Sequence, residues 1–445
     1  MATDLERAYK ALSAKTGIYK TLWQYYDGDH PLVYTNKRLE EIFAGLDAKF
    51  IENWCAVVID SIADRVILSG FTAGDDGTTQ KLDSLWDSVE LNLEADDAHL
   101  CTFVTGEAFL IVWPDEDNQV QAYYNDSRLC HVFYDAENPR KKSFAAKWWD
   151  DVDGYRRLTL YYPDRLEYYK SNKKAENISS AKAFQPDEEM PTAPNPYGEI
   201  PVFHFRTERR TIKSELANAI PLQNGINKLL LDMMVAAEFG ALKQKWVISN
   251  AEILGKLKNA PNEIWSLPAG DGIGQQTQVG EFAATDLSNY LAAIDKLALA
   301  IGIITRTPKH YFFAQGGDPS GESLIAMEAP LNKKAQDRIA RLTSTWRKVA
   351  QFALLIQGVA IPETEITPVF EKPETVQPRT QAEIREIGAR TGIPLVTLLR
   401  DEGWSEDQIR QMEDDKVQEQ AAAQTGLAGA LVEAQRRFDQ GQDNA

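Results

Sequence analysis

The chain has 445 residues, 43% hydrophobic and 26% charged, which is enough for a sizeable core and more than one domain. Its formal net charge is −18, from 48 basic and 66 acidic residues; this argues against general nucleic-acid affinity and favours solubility and repulsion between copies. Three cysteines without paired spacing argue against disulfides and Cys-based metal sites, and the sequence shows neither a signal-like N-terminus nor a membrane-length apolar run.

Residues 4–27 have the apolar spacing of an amphipathic helix, stopped by Asp27-Gly28 and His30-Pro31. Residues 39–67 predict a second helix, apolar nearly all round and therefore buried, followed by a strand over 67–71. Residues 81–106 read as one helix and 108–114 as a buried strand. From Val120 to Tyr169 come five short aromatic runs divided by polar turns, the pattern of an antiparallel meander. Residues 171–196 are polar and predict a mobile insert; Asn195-Pro-Tyr-Gly198 predicts a tight turn and 200–205 a returning strand.

Two helical patterns follow. In the first, Leu216, Ile220, Ile226, Leu230, Met233 and Ala237 share a face, and Pro221 suits a first helical turn. In the second, Leu287, Leu291, Ile294, Leu297, Ile301 and Ile304 form a stripe, with Thr285 as the expected cap. Between them lie two β-prone runs, 245–249 and 263–267, and a Gly- and Gln-rich tract from Gly270 to Gly280 that reads as a flexible tip. Residues 320–357 predict a long helix kinked at Pro330. A Pro- and Glu-rich connector over 362–378 leads to a helical unit, 381–423, broken at Gly392-Ile-Pro394, and then to a weakly patterned tail. Two apolar-striped helices that leave a body and return form an arm, and such stripes need neighbours, which a ring of identical arms would supply.

Residues 305–348 depart from the acidic background. They carry eight basic residues (Arg306, Lys309, Lys333, Lys334, Arg338, Arg341, Arg347, Lys348) against four acidic ones (Asp318, Glu322, Glu328, Asp337). At the front lies a loop with Lys309, His310, Gln315, Gly316, Gly317 and Ser320, side chains able to touch a phosphate backbone without reading sequence. The plainer alternative is a solvated helix face. Chemistry for catalysis is absent: there is no phosphate-cradling P-loop, no HExxH and no GxSxG. Gly270-Asp-Gly-Ile-Gly-Gln275 resembles a nucleotide loop only loosely, and Asp96-Asp97 and Asp150-Asp151 are more simply solvated turns or helix starts than cation sites.

Tyr26-Asp-Gly-Asp-His-Pro31, Asn195-Pro-Tyr-Gly-Glu-Ile-Pro-Val202, Asn227-Lys-Leu-Leu-Leu-Asp-Met-Met234 and Asp318-Pro-Ser-Gly-Glu-Ser-Leu324, in that order, resemble a bacteriophage portal protein of the SPP1-like group. The resemblance runs from Tyr25 through Trp404. It implies an α+β portal fold: a wing over 1–213, stem helices over 214–241 and 284–305, a small α/β clip over 242–283 and a tunnel loop over 306–320. A long kinked helix returning to the wing would occupy 321–378, a helical crown 379–423 and a flexible tail 424–445. It further implies a ring, commonly dodecameric, at one capsid vertex of the virion, assembled in the bacterial cytoplasm. Double-stranded DNA would pass along its axis during packaging, retention and ejection.

Implied partners are a terminase, a head-completion adaptor, and major capsid and scaffolding protein, with no cofactor, metal or membrane. The tunnel loop would present Lys309, His310, Gln315, Gly316, Gly317 and Ser320 to DNA, with Arg306, Lys333, Lys334 and Arg338 as further basic candidates. Trp246, Lys256, Lys258, Trp265 and Gln275 would be clip contacts for the adaptor. Two other readings stay open at this point: a minor capsid or scaffold component without DNA contact, and a metal-dependent nucleic-acid enzyme at Asp96-Asp97.

Overall fold

The computed structural model describes residues 2–31, 51–208, 210–241, 245–248, 278–282, 286–313, 321–374, 378–402, 404 and 408–418. They divide into two compact units, Met1–Phe370 and Glu371–Ala445.

The first unit opens with α1 (Asp4–Asp27), started by a capping box in which Thr3 and Glu6 satisfy each other's backbone N–H groups and ended by Gly28 at φ 78°. Then come α2 (Trp54–Ala63), β1 (Leu68–Thr72), α3 (Asp76–Ser88) and α4 (Leu91–Thr105). The single helix expected over 81–106 is thus two. The chain turns at Glu90, a non-glycine residue at φ 48°, and α3 begins earlier than expected because Asp75 accepts the N–H of Thr78 at 2.8 Å.

The strands β2 (Glu107–Pro114), β3 (Val120–Asn125), β4 (Cys130–Tyr134), β5 (Lys142–Asp150), β6 (Tyr155–Tyr161), β7 (Arg165–Lys174), β8 (Phe184–Pro186), β9 (Thr192–Pro194) and β10 (Val202–Arg206) form two sheets. One has the order β10-β2-β3. The other is the meander β4-β5-β6-β7, whose last strand is also paired by β8 and β9. Two expectations are corrected here. The run 120–124 pairs with β2 and is not part of the meander. The polar stretch 171–196 is tied down by its own short strands instead of hanging free.

Side-chain alternation stacks these sheets. Ala108, Leu110 and Val112 of β2 point into a core shared with α2, α4 and Trp346, while Phe109 and Ile111 meet Val132, Ala145 and Tyr161 of the meander. The meander's other face, Phe144, Ala146, Trp148, Leu158 and Leu160, is covered by Ala8 and Leu12 of α1. Both faces of β2 are therefore buried, which is why it reads as an unbroken apolar run.

The arm helices are α5 (Ile220–Ala241) and α6 (Ser288–Thr305), joined through the antiparallel pair β11 (Lys245–Ile248) and β12 (Gln278–Glu281). Part of the expected flexible tip is therefore a strand. The run 263–267 and Thr285 lie outside the described residues; Asp286 accepts the N–H of Ser288 at 2.9 Å at the start of α6. The long helix α7 (Gly321–Ile356) is 36 residues with Pro330 inside it, and β13 (Thr367–Phe370) pairs with β1. Part of the expected connector is thus a strand too. In the second unit, α8 (Pro378–Arg390) and α9 (Leu395–Asp401) are separated by Gly392 at φ 91°, as the Gly-Ile-Pro break predicted.

Two buried polar centres lock the layers. Glu107, fully buried, receives Lys15 of α1 at 2.9 Å, the Tyr19 hydroxyl at 2.8 Å and His204 Nε2 at 2.7 Å. Burial alone would raise its carboxyl; the Lys15 charge and the His204 hydrogen bond outweigh that and hold it well below the ordinary range. The second centre is His99, whose Nδ1 donates to the Val66 carbonyl at 2.9 Å while Nε2 accepts from Trp346 Nε1 at 2.9 Å. Burial pushes His99 down to about 4, so the folded protein holds it neutral. Between that value and the ordinary one near 6.5 the unfolded chain binds the extra proton. The contribution of His99 is therefore complete above that range and is lost as pH falls through it, to a limit of about 3 kcal/mol. Urea unfolding of the wild type should show stability falling from pH 7 to pH 4.5, and a His99→Leu variant should show a shallower fall.

Candidate functional site

The functional question centres on the feet of α5 and α6 and on the chain leaving α6. The two helices approach closely at Gly225, where an added Cβ would lie 3.2 Å from the Leu297 side chain. Along α6, Ile294, Ala298, Ile301 and Thr305 are buried in the body, one face at helical spacing. The opposite side is bare, with Leu299 40% and Ile303 70% exposed, and Leu291, on the inner stripe but nearer the start of the helix, is 52% exposed. By length and composition α6 is apolar enough to cross a membrane, which qualifies the expectation of no such stretch, although its inner face is used within the body.

The foot of α5 is polar. Buried Gln223 accepts the Trp54 N–H at 3.0 Å and donates to the Glu52 carbonyl at 2.5 Å and to Asn227 Oδ1 at 2.9 Å. Asn227 donates to His30 Nδ1 at 2.8 Å, so the His30 proton sits on Nε2, which donates to the Tyr25 carbonyl at 2.9 Å. The Tyr25 hydroxyl closes the circuit on Asn224 at 2.7 Å. Two stretches that carry the resemblance, 26–31 and 227–234, therefore meet in one hydrogen-bonded knot. A third, Asn195-Pro-Tyr-Gly198, is an Asx turn in which Asn195 accepts the Tyr197 N–H at 3.1 Å and donates to the Glu199 carbonyl at 2.7 Å; Tyr197 packs edge-on to Trp113 and Phe352. Gln223, Asn224 and Asn227 were not foreseen as a unit; polar residues inside an apolar helical pattern were the available signal.

The chain leaves α6 through Arg306, in the left-handed region at φ 61°, and Thr307 donates back to the Gly302 carbonyl at 2.9 Å. Gly302 suits this close approach, since a Cβ would lie 3.0 Å from the Thr307 carbonyl and 3.2 Å from the Phe312 ring. Phe312 is buried against Trp54, ring centroids 5.0 Å apart. Lys309 projects into solvent, and His310 is half-buried with Nε2 3.6 Å from Glu328. Gln315, Gly316, Gly317 and Ser320 lie outside the described residues.

The basic candidates part company. Arg306 and Lys333 are exposed. Lys334 is not: its ammonium is buried, 2.9 Å from Glu215 and 3.1 Å from the Thr305 carbonyl at the end of α6. Arg338 binds the same carboxylate at 2.6 Å. The structure corrects the expectation for these two, because their charges are consumed inside the subunit, where they tie the segment before α5 and the end of α6 to α7. Burial would raise Glu215, but the charges of Lys334 and then Arg338 dominate and lower it. Arg341 is likewise paired, with Asp337 at 3.0 Å. Of the clip candidates, Trp246 is half-buried opposite Gly280, where any Cβ would fall 2.3 Å from the indole; Lys256, Lys258, Trp265 and Gln275 lie outside the described residues. Asp150 and Asp151 pair with Arg156 at 2.6 Å and Arg157 at 3.4 Å, and among the described residues no cluster of three or more metal-ligating side chains occurs.

Neighbouring lysines should therefore behave differently. Lys334→Met leaves Glu215 short of one partner in a buried site and should cost about 3 kcal/mol, whereas Lys333→Met should stay within about 0.5 kcal/mol of wild type. Chemical denaturation of the two variants measures the difference.

Comparison with known proteins places this geometry. Residues 11–424 match the family described as phage portal protein, SPP1 Gp6-like. The portal protein of Mycobacterium phage D29 is 23% identical over 409 residues, covering 84% of this chain and 80% of the relative. That of Mycobacterium phage L5 is 22% identical over 472 aligned positions, covering 98% of this chain and 90% of the relative. Such proteins are structural components of the virion. With an α+β architecture and a family match over nearly its whole length, this chain belongs to the SPP1 Gp6-like family of phage portal proteins.

Proposed function

We propose that the chain assembles into a closed ring at one capsid vertex, forming the channel through which the genome is packaged, retained and ejected. In this reading α5 and α6 are the stem, 242–283 the clip, 306–320 the tunnel loop, 379–423 the crown, and the layered N-terminal body the wing. The observation that carries the proposal is the bare face of α6. A helix whose inner side is buried and whose outer side exposes Leu299 and Ile303 has apolar area that water disfavours and a neighbouring copy would cover. Burial of that area must also offset the repulsion between copies that each carry −18.

The acidic chain suits a conduit, because a duplex is repelled from most of its surface. Arg306, Lys309 and Lys333 are the exposed cations left at the end of α6 and the start of α7 once Lys334, Arg338 and Arg341 are assigned to internal partners. Three such groups per subunit, repeated around an axis, would hold phosphates weakly and in a salt-dependent way. A terminase and a head-completion adaptor would dock on the assembled ring, the adaptor at the clip, with capsid and scaffolding protein around the wing.

Native mass spectrometry or negative-stain microscopy of the purified protein should show closed rings, and Leu299→Asp with Ile303→Asp should leave a folded protein that no longer closes them. Rings that persist in that double variant would remove α6 from the interface. In phage carrying Arg306→Ser, Lys309→Ser and Lys333→Ser together, rings should form but packaged or retained DNA should fall several-fold; unchanged DNA content would remove these residues from the channel wall.

A further inference from the structure

One arginine, Arg65, ties the start of α7 to the body at several points. Residues 323–330 of α7 are exposed or half-exposed, whereas Leu331, Asn332, Lys334 and Ala335 are buried. Pro330 sits at that boundary. It has no N–H to give the carbonyl one turn earlier, so the helix loses a backbone hydrogen bond where it leaves the body.

Arg65, just beyond α2, spans the break. Its Nη2 lies 3.4 Å from the Glu328 carboxylate, before the proline. Its Nε donates to Asn332 Oδ1 at 3.0 Å, after the proline. Nη2 also donates to the Tyr311 hydroxyl at 2.7 Å, and Nη1 donates to the Ser61 carbonyl at 3.0 Å, which fixes the guanidinium to the body. Tyr311 in turn donates to Glu328 at 3.5 Å, and His310 Nε2 lies 3.6 Å from the same carboxylate. One fork thus holds both ends of the chain that connects α6 to α7.

We propose that Arg65 is the positioning residue of this connection: it splints α7 across Pro330 and, through Tyr311 and Glu328, latches residues 306–313 and 323–330 to the body as one unit. With the latch closed, Lys309 is presented from a fixed platform. With Glu328 released, residues 323–330 move about Pro330 and Tyr311 loses its tie to them, while the helix from Leu331 onward keeps its core. The consequence for DNA rests on the channel reading above; the latch itself does not.

Hydrogen–deuterium exchange on the full-length assembled protein separates the two. Arg65→Ala should raise exchange about tenfold in 306–313 and 323–330, the equivalent of one lost charged hydrogen bond, and leave 331–356 unchanged. Glu328→Gln, at a less buried position, should give the same pattern at smaller size and serves if Arg65→Ala does not fold. Arg65→Lys, which keeps the charge but not the fork, should fall between wild type and Arg65→Ala. Exchange that does not change, or that rises equally through 331–356, overturns the latch. A localised rise with normal DNA retention in phage carrying Glu328→Gln upholds the latch and counts against the loop's role in the channel.

Discussion

Three parts of the chain are tied together by the Glu215 carboxylate and the two cations it holds. Glu215 stands before α5, Thr305 ends α6, and Lys334 and Arg338 lie on adjoining turns of α7. Apolar side chains alone would resist sliding poorly, because the hydrophobic effect is non-directional. A buried ion pair adds little net stability but strongly penalises arrangements that break it. The cluster therefore acts as a register pin, fixing where both arm helices start and stop. The polar knot of Gln223, Asn227 and His30 does the same on the other side of the α5 foot.

Much of this architecture could be read in advance, and the failures share a cause. The helices α1, α5, α6 and α7 and the strands β2 and β4–β7 announce themselves by local periodicity, which depends only on neighbours in sequence. What was missed depends on residues far apart. Lys333 and Lys334 are adjacent and chemically alike, and only the face each occupies on α7 decides that one is wet and the other meets Glu215. The short strands β8, β9 and β13 have little alternation of their own and exist because β7 and β1 offer them an edge. The turn at Glu90 has neither Gly nor Pro to mark it. The family motifs were visible as strings, but that 26–31 and 227–234 touch could not be read from either.

The same distinction governs the charges. A net of −18 suggests a uniformly acidic particle, yet the acidic groups described in the core are each matched: Glu107 by Lys15 and His204, Glu215 by Lys334 and Arg338. Surface arginines on the meander lie over aromatic rings, Arg156 on Trp148 at 4.5 Å and Arg165 on Tyr162 at 4.2 Å. Beside the loop, Arg306, Lys309 and Lys333 are the exposed cations that remain once Lys334 and Arg338 are paired. A basic excess counted along a sequence overstates what a surface presents, because the count includes groups already neutralised within the fold.

The pairing of β1 with β13 joins residues near 70 to residues near 370, with Ser69 donating to the Val369 carbonyl at 3.1 Å. At about 5–20 residues per second, a ribosome delivers those partners roughly 15–60 s apart. Until the later strand emerges, Leu68 and Phe71 lack their cover and the open edge of β1 is free to pair elsewhere. The body thus cannot be completed from its N-terminus forward. Such non-local closure slows the search for the native state, so an infected cell must keep many copies of a half-built, sticky intermediate apart before any of them is fit to meet its neighbours.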